Sequence, residues 1–196
     1  MLRTLGMMYV TLVPTIVAGI ANMIWCKSGI LKFAKVPMDG GRCLKDGRRI
    51  FGDNKTWKGF LGYVILNVIA ALVWGIISNA ASLNSLNFFY ANHDNTFPFN
   101  LLIGFLLGLG YAAFELPNSF LKRRLDVRPG KTIPGAWKVF FIFLDQADSL
   151  FGCVLVVWIF YDLGIGLYLL YVLVGALTHM VLNMLLYFAK LRKNMF

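Results

Sequence analysis

The sequence predicts an all-α polytopic membrane protein, a bundle of about five transmembrane helices around a polar cavity on the cytoplasmic side. Three observations carry this reading: 59% of the 196 residues are hydrophobic, the mean hydropathy is +0.69, and long apolar stretches recur with short connections between them. A soluble domain of this length would not expose so much apolar surface. The spans run over roughly 7 to 25, 60 to 78, 99 to 116, 139 to 160 and 165 to 188, each near the ~20 residues that a bilayer core requires. Arg3 ahead of the first apolar run resembles a signal peptide, but the run is long, holds Pro14 and Asn22, and lacks a small-x-small cleavage site. The expectation is one integral membrane domain over 1–196, with cytoplasmic loops at about 26–59 and 117–138.

Orientation follows from the nineteen Lys and Arg residues. Nine lie between Lys27 and Lys58, six between Lys122 and Lys138, and three at Lys190, Arg192 and Lys193, leaving Arg3 alone on the other side. This asymmetry predicts a multi-pass protein of the cell membrane with its N-terminus outside and its C-terminus cytoplasmic. The segment Asn79 to Phe97 has no Lys or Arg and is expected outside. The net charge of +10 sits beside the spans with no detached basic domain, which favours membrane lipids and a phosphorylated substrate over nucleic acid. Cys26, Cys43 and Cys153 lack the number and spacing for a disulfide framework or a zinc site. Gly104 and Gly108 form a small-x-x-x-small pattern for close helix approach, within the bundle or in a homodimer, so the oligomeric state stays open. Asn22 is a candidate polar liner of the cavity, and His179 and Asn183, four residues apart, are candidates for hydrogen bonds to a neighbouring helix.

The loop from Cys26 to Gly59 is Gly-rich, with Asp39-Gly-Gly and Asp46-Gly steps that mark tight turns. As topology anchors alone, Arg48, Arg49 and Lys58 would suffice. The stretch Gly52-Asp-Asn-Lys-Thr-Trp-Lys-Gly59 is richer than anchoring needs. Gly52 and Gly59 permit close backbone approach, Lys55 offers a point charge for phosphate, and Asn54 or Thr56 can hydrogen-bond a phosphate or a base. The G-x-x-x-x-G-K-[ST] pattern of a phosphate-binding loop is absent.

Between Glu115 and Asp148, four carboxylates and six cations lie within and between two apolar spans. Ionisable groups at membrane depth cost several kcal/mol unless paired, hydrated or bound to ions, so they mark a site. If the third span leaves the membrane as a helix bent at Pro117, then Glu115, Ser119, Lys122 and Asp126 fall within about 60° of one another. A stop-transfer cluster accounts for Lys122, Arg123 and Arg124, but gives no reason for a carboxylate on the membrane side of them. Arg128-Pro-Gly-Lys-Thr-Ile-Pro-Gly then reads as a turn-rich connector.

Asp145 and Asp148 share one face of the fourth span, with Cβ atoms about 5 to 6 Å apart, a spacing suited to a divalent cation. Each could instead pair with a Lys or Arg across the bundle. Oxygen-only donors favour Mg²⁺, or Mn²⁺, over zinc. Metal with Lys and Arg, and no nucleophile–base arrangement, describes direct phosphoryl or nucleotidyl transfer. A lipid phosphate and a cytosolic nucleotide can both reach such a site, which suggests a lipid-modifying enzyme.

Three ordered motifs, Asp46-Gly-Arg-Arg-Ile-Phe-Gly-Asp-Asn-Lys-Thr-Trp-Lys-Gly59, Ser119-Phe-Leu-Lys-Arg-Arg124 and Leu144-Asp-Gln-Ala-Asp148, resemble the CDP-archaeol synthase family, which is related to phosphatidate cytidylyltransferase (CDP-diacylglycerol synthase). The resemblance covers most of the chain from about Asp39 to Gly152, together with the span count. It implies a membrane cytidylyltransferase that converts CTP and an anionic lipid phosphate, with ether- or ester-linked tails, to a CDP-lipid and pyrophosphate. It also implies Asp145 and Asp148 as metal ligands, Lys122, Arg123 and Arg124 on phosphates, and Asp53, Asn54, Lys55 and Thr56 in a CTP-side loop, with Lys58, Ser119 and Glu115 as further substrate contacts. Glu115 stands where archaeal members tend to have Asp, and Pro117-Asn118 where they tend to have Val-Lys.

Two other functional classes compete with this reading. A transporter or channel for an anionic solute could use the same cations, but no inverted repeat is evident. A scaffold that only binds anionic lipid leaves Asp145 and Asp148 unexplained.

Overall fold

The computed structural model describes residues 1–129, 131, 135 and 137–190. Of the features expected above, Arg192, Lys193 and the Gly130, Thr132, Ile133 and Pro134 positions of the connector lie outside the described residues. The rest of the chain forms five long helices: α1 (Leu2–Lys27), α2 (Trp57–Ala80), α3 (Phe97–Arg124), α4 (Lys138–Phe160) and α5 (Gly164–Phe188). All five are long and apolar enough to cross a bilayer. Each begins or ends within a few residues of its expected bound, except α3, which runs on through the cation cluster to Arg124.

Successive helices pack side by side, α1 on α2, α2 on α3, α3 on α4 and α4 on α5. The row then closes on itself through side chains. The Tyr171 hydroxyl of α5 donates to the Met8 carbonyl of α1 at 2.5 Å, and Tyr9 on α1 meets Thr178 on α5 at 3.0 Å. A lipid-facing stripe at helical spacing is plainest on α2, where Ile65, Ile69, Val73 and Ile76 are exposed. The opposite stripes of α3 and α4 form the core, with Leu107, Ala147, Cys153, Val154 and Val157 fully buried.

Two glycine contacts set how closely α3 approaches its neighbours. The Gly104/Gly108 pattern packs α3 onto α2 within the chain: a Cβ on Gly108 would lie 2.7 Å from the Val64 Cα. On the next face, a Cβ on Gly110 would lie 2.9 Å from the Gly152 carbonyl oxygen of α4, so the two backbones nearly touch. That crossing holds the charged ends of α3 and α4 within side-chain reach of each other.

The segment without Lys or Arg folds back over one end of the bundle. Phe88 and Phe89 are buried there, and the Phe88 N–H donates to the Thr11 hydroxyl at 3.0 Å. The opposite end carries the cations and the site. Two expectations change there. Asp126 has φ +57, outside the helix, so it leaves the face shared by Glu115, Ser119 and Lys122. Asn22 does not line the cavity; its amide donates to the Gly59 carbonyl at 3.2 Å, at the joint between α1 and α2.

Candidate active site

The loop between α1 and α2 is organised by one buried carboxylate, Asp39. It accepts backbone N–H groups from Gly41 (3.1 Å), Phe51 (3.0 Å) and Gly52 (2.9 Å), and both Nε and Nη2 of Arg49 at 3.2 and 2.5 Å. Burial pushes this carboxyl up, but the Arg49 guanidinium and the three N–H groups outweigh burial and hold it well below the usual carboxylate range. A hairpin-like pairing of Cys43 with Arg49, and of Pro37 with Thr56, completes the loop. Gly52 takes φ +93, a left-handed value suited to glycine, and fits against α3, where a Cβ would lie 3.1 Å from Pro129 and 3.4 Å from Arg123.

Arg124 fastens this loop to the end of α3. Its guanidinium pairs with Asp46 at 2.5 Å and donates to the carbonyls of Arg49 (2.5 Å) and Arg48 (3.0 Å). Arg48 donates in return to the Arg124 carbonyl. Arg123, one residue earlier and about 100° round the helix, faces the other way. It is 8% exposed and lines the cavity, its Nε has no hydrogen-bond partner, and it joins no ion pair among the described residues. A buried guanidinium without an anion keeps its fork of donors available to one.

The carboxylates meet their partners across the α3–α4 contact. Lys122 pairs with Asp145. The Asn118 amide donates to Asp145 Oδ1 and to Asp148 Oδ2, both at 2.8 Å, and Asp148 Oδ1 accepts the Ser149 N–H at 2.6 Å. Lys55 reaches from the loop to pair with Glu115. Burial alone would lower the Lys55 ammonium, but Glu115, with Asp148 and Asp145 behind it, raises it above its ordinary value, so Lys55 is charged at neutral pH.

These groups line a cavity of about 590 Å³. Its polar wall is Asn54, Lys55, Glu115, Asn118, Ser119, Lys122, Arg123, Asp145 and Asp148. Leu12, Ile16 and Ile20 of α1 and Val174, Leu182 and Leu186 of α5 also line it, so apolar side chains from two spans share the cavity with the charged groups. Charge for a polyphosphate and an apolar slot between two spans are thus continuous. Gln146, between the two aspartates in sequence, is held to α5 by Asn183 (2.6 Å) and His179 (3.3 Å).

Comparison with known proteins narrows the chemistry. The family model described as CarS-like CDP-archaeol synthase matches residues 4–196. The chain belongs to the CDP-archaeol synthase family. Among its relatives, the CDP-archaeol synthase of Pyrococcus furiosus is 34% identical over 151 residues, 77% of this chain and 78% of that protein. That of Methanoculleus marisnigri is 34% identical over 158 residues, 78% and 84% of the two chains, and that of Methanococcus aeolicus 30% identical over 174 residues, 87% and 86%. A solved structure described as an intramembrane enzyme for archaeal membrane lipids biosynthesis superposes with a TM-score of 0.59 at 24% identity, covering 90% of this chain and 92% of that one, and so shares the fold.

Of the site residues expected in this family member, the cavity gathers Glu115, Ser119, Lys122, Arg123, Asp145, Asp148, Asn54 and Lys55. Four others lie elsewhere. Lys58 is 3% exposed and donates to the carbonyls of Ser28 (2.9 Å) and Ile30 (2.7 Å), over the Trp25 ring, so it pins the end of α1. Thr56 is the N-cap of α2, accepting the Gly59 N–H at 3.1 Å. Asp53 points to solvent and pairs with Arg49, and Arg124 is the latch described above. Asn118 was not among the expected contacts. Among the described residues no three His, Cys, Asp or Glu side chains cluster to hold a metal.

Proposed function

We propose that this chain is an integral membrane cytidylyltransferase that joins CTP to an archaeol-type lipid phosphate, giving a CDP-lipid and pyrophosphate. The observation that carries the reading is the single cavity that joins an unpaired Arg123 and two Lys–carboxylate pairs to the apolar slot between α1 and α5. A lipid phosphate oxygen bonds to the α-phosphorus of CTP as the bond from that phosphorus to the β-bridging oxygen breaks. Lys122, Arg123 and Lys55 balance the charge that builds on the leaving pyrophosphate. Asn54 and Ser119 offer neutral hydrogen bonds to the same groups. The apolar walls keep the lipid tails beside the bilayer while its phosphate reaches the charged end.

The donor set fits Mg²⁺ or Mn²⁺. Two carboxylates three residues apart, both drawn toward one amide, suit a small hard ion that ordinarily binds one or two carboxylates and completes its shell with water and phosphate. Bound by Asp145 and Asp148, it would neutralise the triphosphate and make its α-phosphorus more electrophilic. The cation asymmetry of the sequence supports placing this end in the cytoplasm, where nucleotide is available, and the N-terminus outside. The whole of 1–196 serves this reaction as one membrane domain, with Gly104 and Gly108 packed against α2 inside it.

Incubation of purified protein with labelled CTP, Mg²⁺ and a panel of ether- and ester-linked lipid phosphates tests the reaction. Lipid-dependent pyrophosphate release that favours the ether lipid is expected. Release with no lipid dependence, or solute flux without turnover, contradicts it.

The two adjacent arginines give a second prediction. Arg123→Ala should weaken CTP binding about 10- to 100-fold, the worth of a hydrogen bond to a charged group, while trypsin sensitivity of the loop stays as in the parent. Arg124→Ala should instead speed tryptic cleavage between Arg42 and Lys55. Equal effects of the two variants on both measurements would show that the residues do not divide these roles.

A further inference from the structure

Asn118 is held in one orientation by its neighbours. Both groups facing its amide nitrogen, Asp145 Oδ1 and Asp148 Oδ2, are carboxylate oxygens that only accept, so the nitrogen must point at them and the oxygen away. That oxygen, Oδ1, is buried and has no hydrogen-bond partner, on a residue that is 7% exposed and lines the cavity. Buried acceptors left without a donor are few in native proteins and call for an explanation. Neither ammonium paired across the site serves it: Lys122 is on Asp145, and Lys55 is on Glu115.

A divalent cation on the aspartate pair would give that oxygen a partner. Until then the neutral N–H₂ group, donating to both carboxylates, takes the place between them that an ion would occupy. An amide carbonyl is a hard neutral oxygen of the kind that joins carboxylates around such ions. The end torsion of Asn is broad and roughly two-fold, so the amide can reverse without moving the helix. We propose that Asn118 is a third oxygen ligand of the cation site: its N–H₂ clasps Asp145 and Asp148 in the metal-free protein, and its Oδ1 turns to the ion when the metal binds. The inference rests on the reading of Asp145 and Asp148 as metal ligands. It adds a neutral donor from α3 to two charged donors from α4, so that cation binding ties the two helices together.

The sign of one measurement separates a ligand from a mere clasp. A clasp competes with the metal, and its removal frees the carboxylates; a ligand contributes, and its removal weakens the site. Mn²⁺ binding to the full-length protein in detergent, followed by the loss of the free-ion electron paramagnetic resonance signal with and without CTP, reads this directly. Asn118→Ala is expected to raise the Mn²⁺ dissociation constant at least about tenfold, and Asn118→Asp, which keeps an oxygen there, to restore binding to within a few-fold of the parent. The thermal midpoint without metal shows whether each variant is folded, and Asn118→Ser supplies a smaller oxygen if Asn118→Ala is not. Unchanged or tighter Mn²⁺ binding by a folded Asn118→Ala protein overturns the proposal. Asp148→Asn is the control for the underlying reading: loss of Mn²⁺ binding in that variant with none in Asn118→Ala defeats the ligand role alone, whereas normal binding in Asp148→Asn defeats the metal site itself.

Discussion

Lys122→Met is expected to lower lipid-dependent pyrophosphate release by about a thousandfold, and adding Asp145→Asn should not bring the activity back. Removing a single preorganised charge-stabilising donor typically costs 10²–10³ in turnover, and in the proposed reaction Lys122 balances the charge that builds on the leaving group. Lys122 also pairs with Asp145, so the single variant leaves a largely buried carboxylate with only the Asn118 amide as partner. That should cost about 1–3 kcal/mol of stability. Neutralising Asp145 in the double variant removes the unpaired charge and should return most of the lost thermal stability. If the pair is only a helix–helix tie, activity recovers with stability. If both residues serve the reaction, the double variant is stable and inactive, since it lacks a phosphate-facing cation and a metal-binding carboxylate. Initial rates with labelled CTP and thermal midpoints in detergent, measured on the same preparations, decide between these outcomes.

How much of this was readable from the chain follows from how far each signal travels along it. The five spans were legible because apolar length is a local property, and Asp145 with Asp148 because a three-residue spacing on a helix fixes a shared face. The division of labour among neighbouring cations was not. Arg123 and Arg124 differ by one residue, and only the position of the folded loop decides which of them faces the cavity and which closes on Asp46. Lys55 and Lys58 differ by three residues, but α2 starts between them at Trp57, and that turn sends Lys58 into the carbonyls at the end of α1. Asn118 was invisible for a different reason. It lies just past the expected end of the third span, at about 116, and nothing short of the continuation of α3 and the placement of α4 shows that its two partners are the aspartates. Asp39 reads in sequence as half of an Asp-Gly turn, whereas its contacts with Phe51 and Gly52 join positions more than ten residues apart.

Asp39 therefore carries the other large expected effect, although it lies outside the cavity. Asp39→Asn should weaken CTP binding about 100-fold and expose the loop between α1 and α2 to trypsin, while the five spans stay folded. The carboxylate holds three backbone N–H groups and Arg49 at once. An amide in its place turns one acceptor into a donor facing donors, and Arg49 is part-exposed, so the loss costs about 1–3 kcal/mol. The cost falls on the segment that carries Asn54 and Lys55 to the cavity, so the ligand end of the loop is lost with its root. Asp53→Ala is the contrast: Asp53 touches the same arginine from solvent, and such exposed pairs are worth about 0–1 kcal/mol. The sign of the pH dependence follows from the Asp39 carboxyl lying below its unfolded value. A group of that kind stabilises the fold fully above the ordinary carboxylate range of about 4 and loses this contribution only as pH falls through its lower folded value. Amide hydrogen-exchange protection of the loop, measured at each pH and corrected for the intrinsic exchange rate, should be flat from about pH 5 upward and fall in stronger acid. Full protection and tight CTP binding in Asp39→Asn would mean that Arg124 and the Lys55–Glu115 pair hold the loop without its central carboxylate. The latch at the end of α3, rather than the turn at Asp39, would then be what brings Lys55 to the phosphates.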